Sequence, residues 1–167
     1  NKSLDQRVYP GLYDVDQLGF NYRMSELHAS LGVIQIKKFN SFLQKRSFNF
    51  KYLESKIKKL KEIFIVPNLK GYMSGSFYCF SILLSKKIAS KRFKIINFLK
   101  KNNIGSSIYY PHPVPRLKFY RDKYKISKRN YEIASQFSDR IICLPIGPHV
   151  LKKDLDIISL NIKKIIY

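Results

Sequence analysis

The stretch from Leu18 to Gln35 constrains the fold more than any other part of the chain, because it has the pattern of a turn followed by a helix. Gly19 allows a turn conformation that other residues resist. Ser25 is a suitable N-cap, because its hydroxyl can accept a hydrogen bond from an N–H of the first helical turn. Apolar side chains then recur at helical spacing, at Leu27, Leu31 and Ile34. This spacing predicts a first helix from about Ser25 to about Ile36.

Hydrophobic periodicity divides the rest of the chain into helices and short strands. Apolar residues at three- and four-residue steps predict a long second helix from about Lys38 to Lys61. Later helices are predicted at about 90–101, at 119–124, from Ser127 onward and at 154–166. In the helix that follows Ser127, the side chains of Ile133, Ala134 and Phe137 are predicted to be buried. Apolar and aromatic runs predict strands at 76–84, 106–110 and 141–144. Alternating prolines from Pro111 to Pro115 predict an extended loop.

These interleaved elements predict an α/β chain of the α+β type. We expect a small, mostly antiparallel sheet of three to four strands packed with about five helices. The 167 residues can bury a core, and 45% hydrophobic content argues against disorder. No signal-peptide pattern follows Asn1, and no apolar run reaches the length of a membrane span. We therefore expect a cytoplasmic protein with no membrane partner.

The two cysteines, Cys79 and Cys143, both lie in apolar, strand-like surroundings. We expect two reduced thiols in the core, in preference to a disulfide, a metal pair or a catalytic nucleophile. The sequence also lacks a glycine-rich phosphate loop, a G-x-S-x-G motif and any His/Cys/Asp/Glu cluster with metal-ligand spacing. No metal site is predicted.

The charge of the chain is strongly positive, with 32 Lys and Arg against 11 Asp and Glu and a formal net charge of +21. Such an excess attracts polyanions, so a basic nucleic-acid-binding module is one alternative. The basic residues are, however, scattered over several predicted helices. Lys, Ile, Asn, Phe and Tyr are abundant together, which is typical of an A+T-rich coding sequence. We therefore favour composition bias and regard nucleic acid as an unlikely partner, while an anionic substrate would benefit from the same field.

Three ordered motifs carry a family resemblance. They are G-x-N-Y-R-M-S-E-L-x-A-x-L-G-x-x-Q from Gly19 to Gln35, the segment Ile104–Pro113, and the segment Leu144–Pro148. Together they resemble the C-terminal portion of DegT-type (DegT/DnrJ/StrS) sugar aminotransferases, which are pyridoxal-phosphate (PLP) enzymes of fold type I. The resemblance implies that residues 1–36 end a large cofactor-binding domain and that residues 37–167 form the C-terminal small domain with a long connecting helix.

The resemblance also implies roles for the residues before the first helix. Asn21 would reach into the partner subunit of a homodimer and bind the PLP phosphate, which suits an amide donor. Arg23, with its planar fork of donors, would bind substrate, and Tyr22 would lie beside it. The alternatives are structural: Asn21 shapes the turn, Arg23 pairs at a surface, and Tyr22 packs.

The segment from Tyr109 to Arg116 is the second candidate site, because in the family this loop helps to form the substrate wall. Tyr109 and Tyr110 could stack on or hydrogen-bond a sugar, and His112 lies between prolines nearby. Many members have His where this chain has Tyr109 and Pro115, so a contact made by those histidines does not carry over. Packing within the core and loop is the alternative for both tyrosines.

The resemblance implies an enzyme that moves an amino group, with glutamate as the expected donor, onto a nucleotide-linked keto-sugar for polysaccharide or amino-sugar synthesis. Some family members dehydrate sugars instead. The catalytic lysine, which forms a Schiff base with PLP, and the carboxylate at the pyridine nitrogen lie upstream in the family, within motifs absent from this sequence. No catalytic residue is therefore assigned, and we expect the chain alone to be inactive. A non-catalytic remnant or a split subunit of the same family is a further alternative.

Overall fold

The computed structural model describes residues 17–66, 75–127 and 130–167. The elements in chain order are α1 (Glu26–Ile57), β1 (Ile63–Ile65), β2 (Phe80–Leu84), α2 (Arg92–Lys101), α3 (Lys118–Tyr124), α4 (Glu132–Arg140), β3 (Ile141–Leu144) and α5 (Lys152–Ile166). Short 3-10 turns lie at Ala89–Lys91 and Val114–Arg116. The described part of the chain thus has five α-helices and a three-stranded sheet, which confirms the predicted α+β class.

The chain divides into two units, the first ending at Lys37 and the second beginning at Lys38. Helix α1 contributes residues to both units. The predicted assignment of residues 1–36 to a large cofactor-binding domain and of 37–167 to a small domain stays a prediction.

The sheet of the second unit has the order β1-β2-β3, and both pairs are antiparallel. In β2 the side chains alternate, so that Phe80, Ile82 and Leu84 are buried while the residues between them are half-buried. Strand β3 is buried along its whole length because both of its faces are covered. The apolar run at 141–144 is therefore a strand, as predicted.

The core of the second unit lies between the sheet and the helices α1, α2 and α5. It is built from aliphatic residues that recur at helical spacing, among them Leu53 and Ile57 of α1, Ile95 and Leu99 of α2, and Leu155, Ile158 and Ile162 of α5. Each such side chain contributes about 1.5–3 kcal/mol when fully buried. The predicted apolar face of the last helix is confirmed, since Leu155, Ile158 and Ile162 are at most 3% exposed.

Several sequence-based boundaries are wrong. The predicted helices at 25–36 and 38–61 form the single helix α1, because no helix-breaking residue separates Ile36 from Lys38. The predicted strand 106–110 is only an isolated bridge between Ser107 and Cys143, since the chain turns into the proline-rich loop. The predicted strand 76–84 begins only at Phe80, and the three-residue strand β1 was not predicted at all.

None of the helices in residues 17–66, 75–127 and 130–167 is both long and apolar enough to cross a bilayer. Helix α1 has the length but carries many charged residues from Lys37 onward.

Candidate functional site

The candidate residues of the first unit lie in the turn that leads into α1. The Oδ1 atom of Asn21 accepts hydrogen bonds from the backbone N–H of Arg23, at 3.2 Å, and from Arg23 Nε, at 3.3 Å. This is an Asx turn, in which a side-chain carbonyl replaces a backbone acceptor. Both donors belong to Arg23, so the carbonyl end of the amide faces the guanidinium and the Nδ2 donor end is directed elsewhere. The turn therefore holds Asn21 and Arg23 together.

These residues are exposed within their unit. The side chains of Tyr22 and Phe20 are 86% and 85% exposed, and their rings lie 5.6 Å apart. Asn21 and Arg23 are also exposed. An exposed amide and guanidinium can donate to an anion from outside the unit.

The start of α1 is fixed by Ser25. Its Oγ accepts a hydrogen bond from the His28 N–H at 3.4 Å and lies 2.8 Å from His28 Nδ1. The helix begins at Glu26, which confirms Ser25 as the residue before the first turn. His28 caps the helix entrance with it, so this histidine has a structural partner and needs no ligand.

The candidate residues of the second unit line a groove of about 1290 Å³. One wall is the loop with Tyr109, Tyr110 and His112, and the other is α4 with Ile133 and Phe137. We call this the tyrosine groove. Tyr110 is 73% exposed and Tyr109 38%, so both rings are accessible from it. The structure brings these three predicted residues to one wall.

The apolar face of α4 was predicted to be buried, and this is wrong. Ile133 is 87% exposed and Phe137 is 37% exposed, both along the tyrosine groove. The buried residues of α4 are instead Ser135 and Ser138. An apolar stripe at helical spacing has the same pattern whether it faces a core or a binding groove, so the sequence could not distinguish the two.

Tyr78, which the sequence analysis assigned only to a buried strand, is exposed and lies beside Tyr109 of the groove wall. Its ring lies 5.8 Å from that of Tyr109, and Tyr109 lies 5.8 Å from Tyr110. A hydrogen bond with Tyr109 raises the pKa of the Tyr78 hydroxyl above its usual value. Three aromatic rings therefore form a continuous row. The signal that could have found Tyr78 is its hydroxyl, which would need a hydrogen-bond partner if the residue were buried in the predicted strand.

A smaller, polar cavity of about 440 Å³ shares His112 with the tyrosine groove. It is lined also by Arg116, Arg121 and Asp139. Arg116 Nη1 donates to both carboxylate oxygens of Asp139, at 3.0 and 2.9 Å. The apolar groove thus has a charged end, at which part of the positive charge is balanced by a carboxylate.

No group of three or more His, Cys, Asp and Glu side chains within the described ranges could hold a metal ion. The arrangement can instead bind a ligand with an apolar or ring face in the tyrosine groove and polar groups at its His112 end.

The model of the DegT/DnrJ/EryC1/StrS aminotransferase family matches residues 3–163. The chain belongs to this family. The family is PLP-dependent, and the solved structures with a similar fold include PLP and PMP (pyridoxamine phosphate) forms. The resemblance seen in the three sequence motifs is therefore confirmed.

Among curated proteins, the chain is 31% identical over 128 residues to dTDP-4-amino-4,6-dideoxy-D-glucose transaminase of Escherichia coli, covering 77% of this chain and 34% of that one. The fold of this chain is similar to that of Helicobacter pylori PseC, an aminotransferase involved in pseudoaminic acid biosynthesis, with a TM-score of 0.80 and 23% identity. The match covers 90% of this chain and 40% of PseC. The PMP form of Spr1654 from Streptococcus pneumoniae matches with a TM-score of 0.85, 23% identity and coverage of 97% and 40%. The chain spans about a third to two fifths of the length of these relatives.

Proposed function

We propose that this chain is the C-terminal part of a PLP-dependent aminotransferase that moves an amino group from glutamate onto a nucleotide-linked keto-sugar. The observation that carries this proposal is the family match over residues 3–163. The similarity to a dTDP-sugar transaminase supports a nucleotide-sugar as the substrate class. The setting would be polysaccharide or amino-sugar biosynthesis in the cytoplasm.

Asn21 fits the role of a phosphate ligand. Its carbonyl oxygen is engaged by Arg23, so the amide presents its Nδ2 donors away from the turn. A neutral donor of this kind binds a PLP phosphate oxygen without adding charge. Because the residue is exposed in its own unit, the phosphate would belong to the partner subunit of a homodimer. Arg23 and Tyr22, beside it, would bind the substrate.

The tyrosine groove fits the sugar and its nucleotide. Tyr109 and Tyr110 offer ring faces for stacking and hydroxyls for hydrogen bonding. The His112 end of the groove, with Arg116 nearby, is the polar end at which the charged part of the substrate would lie. The high positive charge of the chain would favour the approach of such an anion.

PLP, when bound, would supply the electron sink for transamination, and it requires a lysine that the described ranges do not offer in a suitable environment. A lysine that carries PLP is usually desolvated. None of the lysines in the described ranges is buried. We therefore propose that the catalytic lysine belongs to the remainder of a complete enzyme and that this chain alone does not transaminate.

The first test uses the chain as it is. The chain is incubated with PLP, reduced with borohydride and examined by peptide mass spectrometry. We expect only low, scattered labelling of surface lysines. One lysine labelled in full would contradict the proposed inactivity.

The second test uses the longest protein whose reading frame contains this chain, or a mixture with a separately encoded large domain. With PLP and glutamate it should convert dTDP- or UDP-linked keto-sugars to amino sugars, and the same product analysis would detect dehydration. Asn21→Ala should weaken PLP retention by at least about tenfold, as expected for loss of a charge-assisted hydrogen bond. Asn97→Ala, at an exposed position of α2, is the matched control.

A homodimer with a shared site predicts a further result. Mixing the Asn21→Ala protein with a protein inactivated at its catalytic lysine should restore part of the activity, because one of the two sites in the mixed dimer is then intact. No gain on mixing would contradict the shared site. No amino sugar from any unmixed preparation would contradict the proposed reaction itself.

A further inference from the structure

Strand pairing brings the two cysteines of the chain into one cluster with Ser81. The Oγ of Ser81 lies 3.4 Å from Cys79 Sγ and 3.3 Å from Cys143 Sγ. Both thiols are free. The chain has two cysteines in all, so an internal disulfide could join only this pair.

The register of β2 and β3 explains the cluster. Ser81 and Cys143 are directly opposite each other. The Ser81 carbonyl accepts a hydrogen bond from the Val66 N–H, and Cys143 exchanges two backbone hydrogen bonds with Ser107. The polar backbone groups of Ser81 and Cys143 are therefore directed away from each other. Ser81 and Cys143 are therefore a non-hydrogen-bonded pair, the closer type, about 4.5 Å apart at Cα. Cys79, two residues before Ser81, lies on the same face and is the diagonal neighbour of Cys143.

The two thiols differ in environment. Cys143 is 3% exposed, whereas Cys79 is half-buried and can be reached by a small solute. A hydrogen bond from Cys143 lowers the pKa of Cys79 to about 6, and Ser81 adds to this effect. The same contact and burial raise the pKa of Cys143. The more accessible sulfur is thus the one whose thiolate is favoured, as in a reactive thiol with a resolving partner.

We propose that Cys79 and Cys143 form a peroxide-responsive dithiol site, with Cys79 as the attacking thiol, Cys143 as the resolving thiol and Ser81 between them. The Cys79 thiolate attacks a hydroperoxide, the O–O bond breaks, and Cys79 becomes a sulfenic acid while an alkoxide or hydroxide leaves. The Cys143 sulfur then attacks the Cys79 sulfur, its proton goes to the departing hydroxyl, and water leaves. The two sulfurs are oxidised by two electrons in total, and the hydroperoxide is reduced.

The backbone allows a disulfide to form between Cys79 and Cys143. Diagonal neighbours lie about 7–8 Å apart, slightly beyond the Cα separation of an ordinary disulfide, so one strand must move inward. Cys79 lies one residue before β2 begins, outside the ladder, and can make this movement. The site also adjoins the tyrosine groove, because Ser107, the backbone partner of Cys143, is two residues from Tyr109.

The test treats the folded, reduced chain with hydrogen peroxide and follows the intact mass and the free thiols. We expect the loss of two hydrogen atoms and of both thiols, with Cys79 linked to Cys143 in the peptide map and full reversal by dithiothreitol. In Cys143→Ser the reaction should stop at a sulfenic acid on Cys79, trapped by dimedone. In Cys79→Ser the buried Cys143 should remain unlabelled over the same time.

Three results would overturn the proposal: unchanged thiols in the wild-type chain, only disulfides between chains, or a dimedone adduct that accumulates in wild type as fully as in Cys143→Ser. Circular dichroism of both variants ensures that a difference in labelling is not unfolding. Since Ser replaces Cys with nearly the same volume, Cys79→Ala and Cys143→Ala serve as second variants if either serine substitution alters the fold. The outcome does not depend on aminotransferase activity.

Discussion

At the scale of single residues, Asn49 of α1 explains why the segment Leu144–Pro148 matters for folding. Its side chain is 4% exposed, and its Nδ2 group donates to the carbonyls of Ile146, Gly147 and Val150 at 3.3, 3.0 and 3.1 Å. One buried amide thus donates to three backbone carbonyls of the loop between β3 and α5, which does not pair with a strand. The Gly147 carbonyl also accepts from the Val150 N–H at 3.0 Å, so the Asn49 amide matters most for the carbonyls of Ile146 and Val150.

This contact predicts a large effect of Asn49→Asp. The substitution keeps the shape but replaces the donors with a carboxylate that faces carbonyl oxygens, so we expect a loss of about 2–4 kcal/mol in the free energy of unfolding. Urea denaturation followed by circular dichroism measures it. Asn97→Asp on α2 is exposed and should change stability by less than about 0.5 kcal/mol. Equal stability of the two variants would show that the loop does not depend on Asn49.

At the scale of elements, α1 and α5 are joined outside the core by a polar contact. The Tyr52 hydroxyl donates to Asp156 Oδ1 at 2.8 Å, and Lys56 Nζ lies 3.2 Å from the same oxygen. The hydrogen bond from Tyr52, followed by that from Lys56, lowers the pKa of Asp156 below its usual value. The contact therefore favours the ionised carboxylate in the folded state.

The lowered pKa of Asp156 determines how the stability of the fold depends on pH. A lowered pKa in the folded state adds stability above the pKa of the unfolded chain, and this contribution disappears as the pH falls through the folded value. Asp156→Asn should thus lower the urea midpoint at pH 7, and the difference from wild type should shrink towards pH 3. Asp122→Asn, whose carboxylate pairs with the adjacent Arg121 on α3, is the control. A difference that is the same at both pH values would contradict the role of the Asp156 charge.

At the scale of the whole molecule, the net charge of +21 has to be reconciled with an enzymatic family. The described lysines are distributed over α1, α2, α3 and α5 and are not gathered on one element. A distributed charge binds polyanions through phosphates alone, without reading bases.

We therefore expect weak, sequence-independent DNA binding that is strongly salt-dependent. Fluorescence anisotropy with two unrelated 20-base-pair duplexes should give equal affinities at about 50 mM salt and at least a tenfold loss at about 200 mM. A preference for one duplex that persists at the higher salt concentration would instead favour the nucleic-acid-binding alternative.

Sequence patterns predicted the elements whose environment is set locally. The apolar stripe of α5 and the run that became β3 were identified because their spacing matches one structure and their surroundings are apolar on the predicted side. The break predicted between Ile36 and Lys38 failed because no helix-breaking residue lies there, and apolar spacing alone does not mark a helix end. The roles of Asn21, Tyr22, Arg23, Tyr109, Tyr110 and His112 stay predictions, although the structure leaves all six exposed.

The sequence alone determined the family, the α+β class and a turn before the first helix, because motifs and turn signals depend on residues close together in the chain. Only the tertiary structure decided which apolar faces are left uncovered, as on α4, and which distant residues meet, as Cys79 and Cys143 do. These outcomes depend on the register and packing of separate elements. Periodicity shows that a helix has an apolar side, but not what covers that side.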